Sequence, residues 1–139
     1  MTHDRPGASA GTSDADALHL PRSERLRHAL ARDGEACVWC RRPLPAGHRD
    51  ASLEHVVPKL KGGPAWPENE VAACRSCNRA RGHRSPAVWL EACEARGHRP
   101  DRATIERSLL RLRDAIAARG GQRKARPYLD GQLRRLRLD

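Results

Sequence analysis

Apolar residues recur at helical spacing in several stretches and at strand spacing in a shorter one, and this patterning lays out most of the chain. Leu26, Ala29 and Leu30 share one face of a stretch that Pro21 can start and Gly34 can stop, predicting a helix over 21–32. Leu53, Val56 and Val57 give residues 51–57 strand character, and Pro58 ends it. Two glycines and two prolines mark 59–68 as a loop, and Val71 to Ala73 leave room for only a brief second strand. A helix is expected from Cys74–Cys77 to about Gly82. Ser85 and Pro86 are a good N-cap and first helical residue for a stretch that turns Val88, Trp89, Ala92 and Cys93 inward and stops at Gly97. Asp101 can cap a longer helix carrying Ile105, Leu109, Leu112 and Ile116, closed by Gly120 and Gly121. Leu129, Leu133 and Leu136 predict a last short helix. Residues 1–19, rich in small and polar residues without periodicity, read as a disordered arm. The expected class is α+β. It divides into an arm at 1–19, a core at 20–97 and a helical, basic extension at 98–139.

Composition makes that core thin. Aromatic residues are 3% of the chain, Phe is absent, and charged residues are 32%. A core this small favours a metal staple, and the cysteines supply one. Cys37/Cys40 and Cys74/Cys77 are two Cys-x-x-Cys pairs separated by 33 residues. Each pair can aim two sulfurs at one centre, so together they predict a closed tetrahedral Zn2+ site. Cys93, on a helix face, reads as a small core residue.

Charge adds a partner class. The chain carries +10, and the excess grows along it: residues 1–33 are neutral, 34–83 carry +3 and 84–139 carry +7. A polyanion is the expected partner, and the C-terminal helices would grip its backbone or complete the core. No run of 18 apolar residues and no apolar leader is present, which predicts a cytoplasmic, reducing setting without a membrane. There, paired cysteines are more often metal ligands than disulfides.

Between the cysteine pairs lies chemistry. Glu54-His55-Val56-Val57-Pro58, then Gly62-Gly63, Asn69-Glu70-Val71 and Cys74-Arg75-Ser76-Cys77-Asn78-Arg79-Ala80-Arg81-Gly82, follow Cys37-Val38-Trp39-Cys40 in order. Over residues 34–83 this pattern resembles the HNH endonuclease family, with its zinc knuckles and ββα-metal fold. The resemblance implies that His55 is the general base, that Glu54 and Asn78 hold one catalytic Mg2+ or Mn2+, and that Asn69 fastens the loop and orients His55. Two positions depart from the commoner family pattern: Glu54 stands for Asp, and Asn78 for His. A histidine is suited to the base role because its pKa lies near working pH, and magnesium needs only one or two protein oxygens.

Lys59 and Lys61 on the loop, and Arg75, Arg79 and Arg81 on the knuckle helix, are expected to meet phosphates of DNA or possibly RNA. His83 is a minor candidate for the site, while His28 and His48 read as surface residues. Trp39, Trp66 and Trp89 read as core or staple residues. The expected function is a metal-dependent DNA endonuclease; the residues leave open a non-catalytic zinc-dependent nucleic-acid-binding module or adaptor.

Overall fold

A computed structural model describes residues 11–138. Six helices surround a two-stranded sheet. They are α1 (Asp14–Ala17), α2 (Arg22–Asp33), α3 (Arg75–Arg81), α4 (Pro86–Ala95), α5 (Arg102–Arg119) and α6 (Ala125–Arg135), with strands β1 (Ala51–His55) and β2 (Glu70–Cys74). The fold is α+β. The strands pair antiparallel with Ala51 opposite Cys74 and His55 opposite Glu70, and β2 passes straight into α3. That β–β–α unit is the centre of the molecule.

Helix starts follow the caps written in the sequence. The Ser85 hydroxyl accepts from the Val88 N–H, and the Asp101 carboxylate accepts from the Thr104 N–H. Strand β1 is shorter than expected, ending at His55 rather than Val57. The Val56 N–H still reaches the Asn69 carbonyl, but the Val57 N–H is taken by the Asn69 side chain, which ends the regular ladder.

The core is one continuous apolar cluster. It joins Trp39, Val56 and Val71 to Trp89 of α4, Leu109 and Leu112 of α5, and Leu129 and Leu133 of α6. Trp39 and Trp89 meet edge-on, with centroids 6.4 Å apart. Every residue of β2 is buried. Helix α5 also clamps the segment before β2. Ser108 Oγ donates to the Glu68 carbonyl at 2.8 Å, Arg119 pairs with the Glu68 carboxylate at 2.6 Å, and the Arg119 guanidinium lies over Trp66.

Two expectations near the N-terminus need correcting. Disorder was expected through residue 19, but residues 14–17 form a helical turn capped by Ser13, with Ala17 fully buried; residues 1–10 lie outside the described residues. His28 is not on the surface: it is buried, and its Nε2 lies 2.6 Å from Asp14. Burial, the largest influence, would raise the Asp14 carboxyl. The His28 hydrogen bond and the Arg32 and Arg111 guanidiniums overcome it and hold Asp14 well below the usual range. This tertiary clamp, invisible in local periodicity, orders α1. No helix among the described residues is long and apolar enough to cross a membrane.

Candidate active site and metal cluster

The two cysteine turns converge. The sulfurs of Cys37, Cys40, Cys74 and Cys77 all lie within 4.8 Å of one another, and those of Cys40 and Cys74 are 3.9 Å apart. A tetrahedron with metal–sulfur bonds of about 2.3 Å has edges near 3.8 Å. Backbone N–H groups of Trp39 and Cys40 point at the Cys37 sulfur, and that of Cys77 points at the Cys74 sulfur. Such bonds stabilise thiolate charge and orient the ligands. Burial, then the neighbouring thiolates, push the Cys77 thiol upward, and burial carries Cys37 to about 11. A bound cation is what this crowd of sulfurs needs in order to ionise together. Cys93 stands apart in the core, its thiol pushed up to about 11 by burial.

Strand β1 brings Glu54 and His55 to a pocket of about 160 Å3 that also receives Asn78, Lys59, Arg81 and His83. The strand ends at His55, so Glu54 and His55 share this hollow although neighbouring strand residues face opposite sides. Glu54 is buried. One carboxylate oxygen is held by the Trp39 indole N–H and by Arg81 at 2.9 Å, while Oε1 has no partner. Burial, the largest influence, raises the Glu54 carboxyl above its usual range against the pull of Arg81 and Trp39. Asn78 donates from Nδ2 to Ser52 Oγ at 3.0 Å and to the Leu53 carbonyl at 3.4 Å, and its amide oxygen accepts no hydrogen bond among the described residues. An unpartnered carboxylate oxygen and an amide oxygen in one pocket fit a hard divalent ion.

His55 faces the other way along the pleat, opposite Glu70. Its Nε2 is buried without a hydrogen-bond partner and sits 3.8 Å from the Glu70 carboxylate. Burial, the largest influence, lowers the His55 pKa; Glu70 opposes this, and Arg22, Lys59 and Arg25 reinforce it. The ring is therefore neutral and keeps a lone pair at neutral pH. Glu70 itself is almost fully buried and takes 3.0 and 3.3 Å hydrogen bonds from Arg25 of α2.

Asn69 bonds the loop after His55 from both ends of its amide. Oδ1 accepts from the Val57 N–H at 2.8 Å, and Nδ2 donates to the Val57 and Pro64 carbonyls at 3.0 Å each. The loop closes around two glycines. A Cβ on Gly63 would lie 1.8 Å from the Val57 carbonyl oxygen. Gly62 has φ +89° and abuts Lys124 at the start of α6.

The basic residues divide. Lys59 is exposed and lines the pocket, and Lys61 and Arg79 are exposed. Arg75 is exposed too, lines a different hollow, and donates from Nε to the Arg49 carbonyl. Arg81 does not project toward solvent as expected. It is 1% exposed and donates to Glu54, to the His55 and Val56 carbonyls and to the Arg84 carbonyl. Four of its five N–H donors are spent on these acceptors, which ties the guanidinium to the protein. Sequence reasoning missed the Glu54–Arg81–Trp39 clamp and the Arg25–Glu70 pair. The one signal for the second was an acidic residue inside an otherwise apolar strand, next to Asn69.

Comparisons with known proteins agree with this arrangement. Residues 37–90 match the profile of a family described as HNH endonuclease. A CRISPR-associated endonuclease Cas9 of Corynebacterium diphtheriae is 27% identical over 70 residues, which is 50% of this chain and 6% of that protein. The chain thus aligns with only a small part of that relative.

Proposed function

We propose that this chain, whose residues 37–90 form an HNH endonuclease domain, is a metal-dependent endonuclease that hydrolyses phosphodiester bonds of DNA. The observation that carries this is the meeting of Glu54, His55 and Asn78 in one pocket, with His55 Nε2 and Glu54 Oε1 both without a hydrogen-bond partner. His55 takes a proton from water, and the resulting hydroxide attacks phosphorus in line with the departing 3′ oxygen, leaving a 5′-phosphate. Neutral His55 is competent because burial keeps it unprotonated near neutral pH. Glu54 and Asn78 would hold one Mg2+ or Mn2+, which supplies positive charge where the transition state and the leaving oxygen accumulate negative charge. Lys59, Lys61 and Arg79 position the duplex through its phosphates. Asn69 fixes the loop that carries the His55 backbone onward, so its role is to position the base. Zn2+ at the four cysteines is structural, since four sulfurs close the shell and leave no open position.

The test is plasmid nicking by purified protein with Mg2+ or Mn2+, beside the His55→Ala variant and a DNA-binding measurement on both. The parent is expected to convert supercoiled DNA to open circles. His55→Ala should bind equally and cut about 100- to 10,000-fold more slowly, the range for loss of a general base. Equal binding with no cutting by either protein would establish a non-catalytic nucleic-acid-binding module instead.

A further inference from the structure

Two adjoining hollows of about 340 and 220 Å3 run between α2 and β1, share Ser23 and Arg75, and together make a trough. The first also shares the lining residue Leu53 with the catalytic pocket, so the trough borders that pocket. Arg22, Arg27, Arg49 and Arg75 line its outer part, and no carboxylate does. None of these four guanidiniums forms an ion pair among the described residues. This sets them apart from Arg25, Arg32 and Arg119, whose charges are met by Glu70, Asp33 and Glu68. Arg22 and Arg75 bond only to backbone carbonyls, of Leu53 and Arg49, which steadies their heads without neutralising them.

We propose that this trough is the track of one DNA strand, carrying the sugar–phosphate backbone that runs on from the phosphate at His55. It rests on the nuclease function above and adds where the substrate lies. Four unpaired cations around these hollows, with no carboxylate among the lining residues, complement a polyanion.

The experiment uses the full chain carrying His55→Ala, so that bound DNA is not cut, and a defined duplex titrated across a salt series. Each phosphate contact contributes about 0.9 to the slope of log affinity against log salt. The triple variant Arg22→Gln/Arg27→Gln/Arg49→Gln should lower the slope by about 2–3. The charge-matched triple Arg126→Gln/Arg134→Gln/Arg135→Gln on α6 should lower it by less than 1. Single variants Arg27→Gln and Arg49→Gln, whose side chains donate no hydrogen bond among the described residues, should each remove about one unit of slope with an unchanged thermal transition. An unchanged slope in the α2 and 49 variants, or loss falling on the α6 triple instead, overturns the track. Failure of the nuclease function itself would be read separately, as absence of nicking by the parent, and leaves the slopes interpretable.

Discussion

Arg81 carries a charge to where the sequence could not place it. It occupies the basic position after the second cysteine pair, which on a helix surface would face solvent. Its actual partners, Glu54 and the His55 and Val56 carbonyls, lie at least 25 residues away in sequence. Such pairings are set by the fold, not by spacing, so local pattern could not reveal them. The same holds for Glu70 and Arg25. By contrast the meeting of Glu54, His55 and Asn78 in one pocket, and the hold of Asn69 on the loop after them, follow from the order of these residues along the short β–β–α path, which a local pattern does carry. Breaking a buried pair costs more than the pair itself contributes, since the survivor is left in a dry place. Arg81→Ala should therefore lower stability by about 3–5 kcal/mol, read as a fall in the thermal midpoint. Arg81→Lys should recover only part, because an ammonium cannot serve the same fork of acceptors. A midpoint unchanged in Arg81→Ala would mean that Glu54 finds water or another donor there. Gly63 gives a second, independent test. A methyl group at that position meets the Val57 carbonyl oxygen at 1.8 Å, so the loop must shift and with it the Asn69 bonds that follow His55. Gly63→Ala should cost about 1–3 kcal/mol and slow nicking, measured on the same preparation.

At the level of elements, most of the plan was readable. Helices α2, α4 and α5 begin and end close to where caps, prolines and glycines predicted, because those signals act within one turn, while α6 was expected only from the spacing of its leucines. The exception is α1, one turn long, with no apolar period to announce it. What holds it is Asp14, reached by His28 and Arg32 from α2 and by Arg111 from α5. The clamp has a pH signature whose sign follows from Asp14. Its folded carboxyl lies well below the ordinary value of 3.8, so its stabilising effect is complete above that value and is lost as pH falls through the folded pKa. Stability should be level from neutral pH down to about 4 in respect of this group, and should decline below it. Asp14→Asn should flatten that acid decline and cost about 1–3 kcal/mol at neutral pH. Chemical denaturation at a series of pH values checks both. An acid limb identical in parent and variant would assign the acid sensitivity to groups other than Asp14.

For the molecule as a whole, the question is what makes so polar a chain fold as one body. The apolar cluster runs unbroken from Cys37 and Cys74 through Trp39 and Trp89 to α5 and α6, and the loop glycine Gly62 touches the start of α6. The C-terminal helices thus support the nuclease loop, which their charge alone did not indicate. Because Cys37 and Cys74 belong to the same cluster as the core residues of α5 and α6, losing the metal should unravel more than the knuckles. A structural zinc contributes on the order of 10 kcal/mol, comparable to the entire stability of a small domain. Chelation of the reduced protein, followed by tryptophan emission and far-UV circular dichroism, reads both ends of the cluster at once. The expected outcome is a red shift from Trp39 and Trp89 and loss of helix signal in a single transition. Zinc released per chain should match one four-sulfur site. Cys77→Ser should reproduce this loss, whereas Cys93→Ala, at a core residue outside the four-sulfur group, should keep its zinc with only a small fall in midpoint. Departure of zinc with α5 and α6 intact would mean that the C-terminal helices carry their own core, and that the metal fastens the catalytic loop alone.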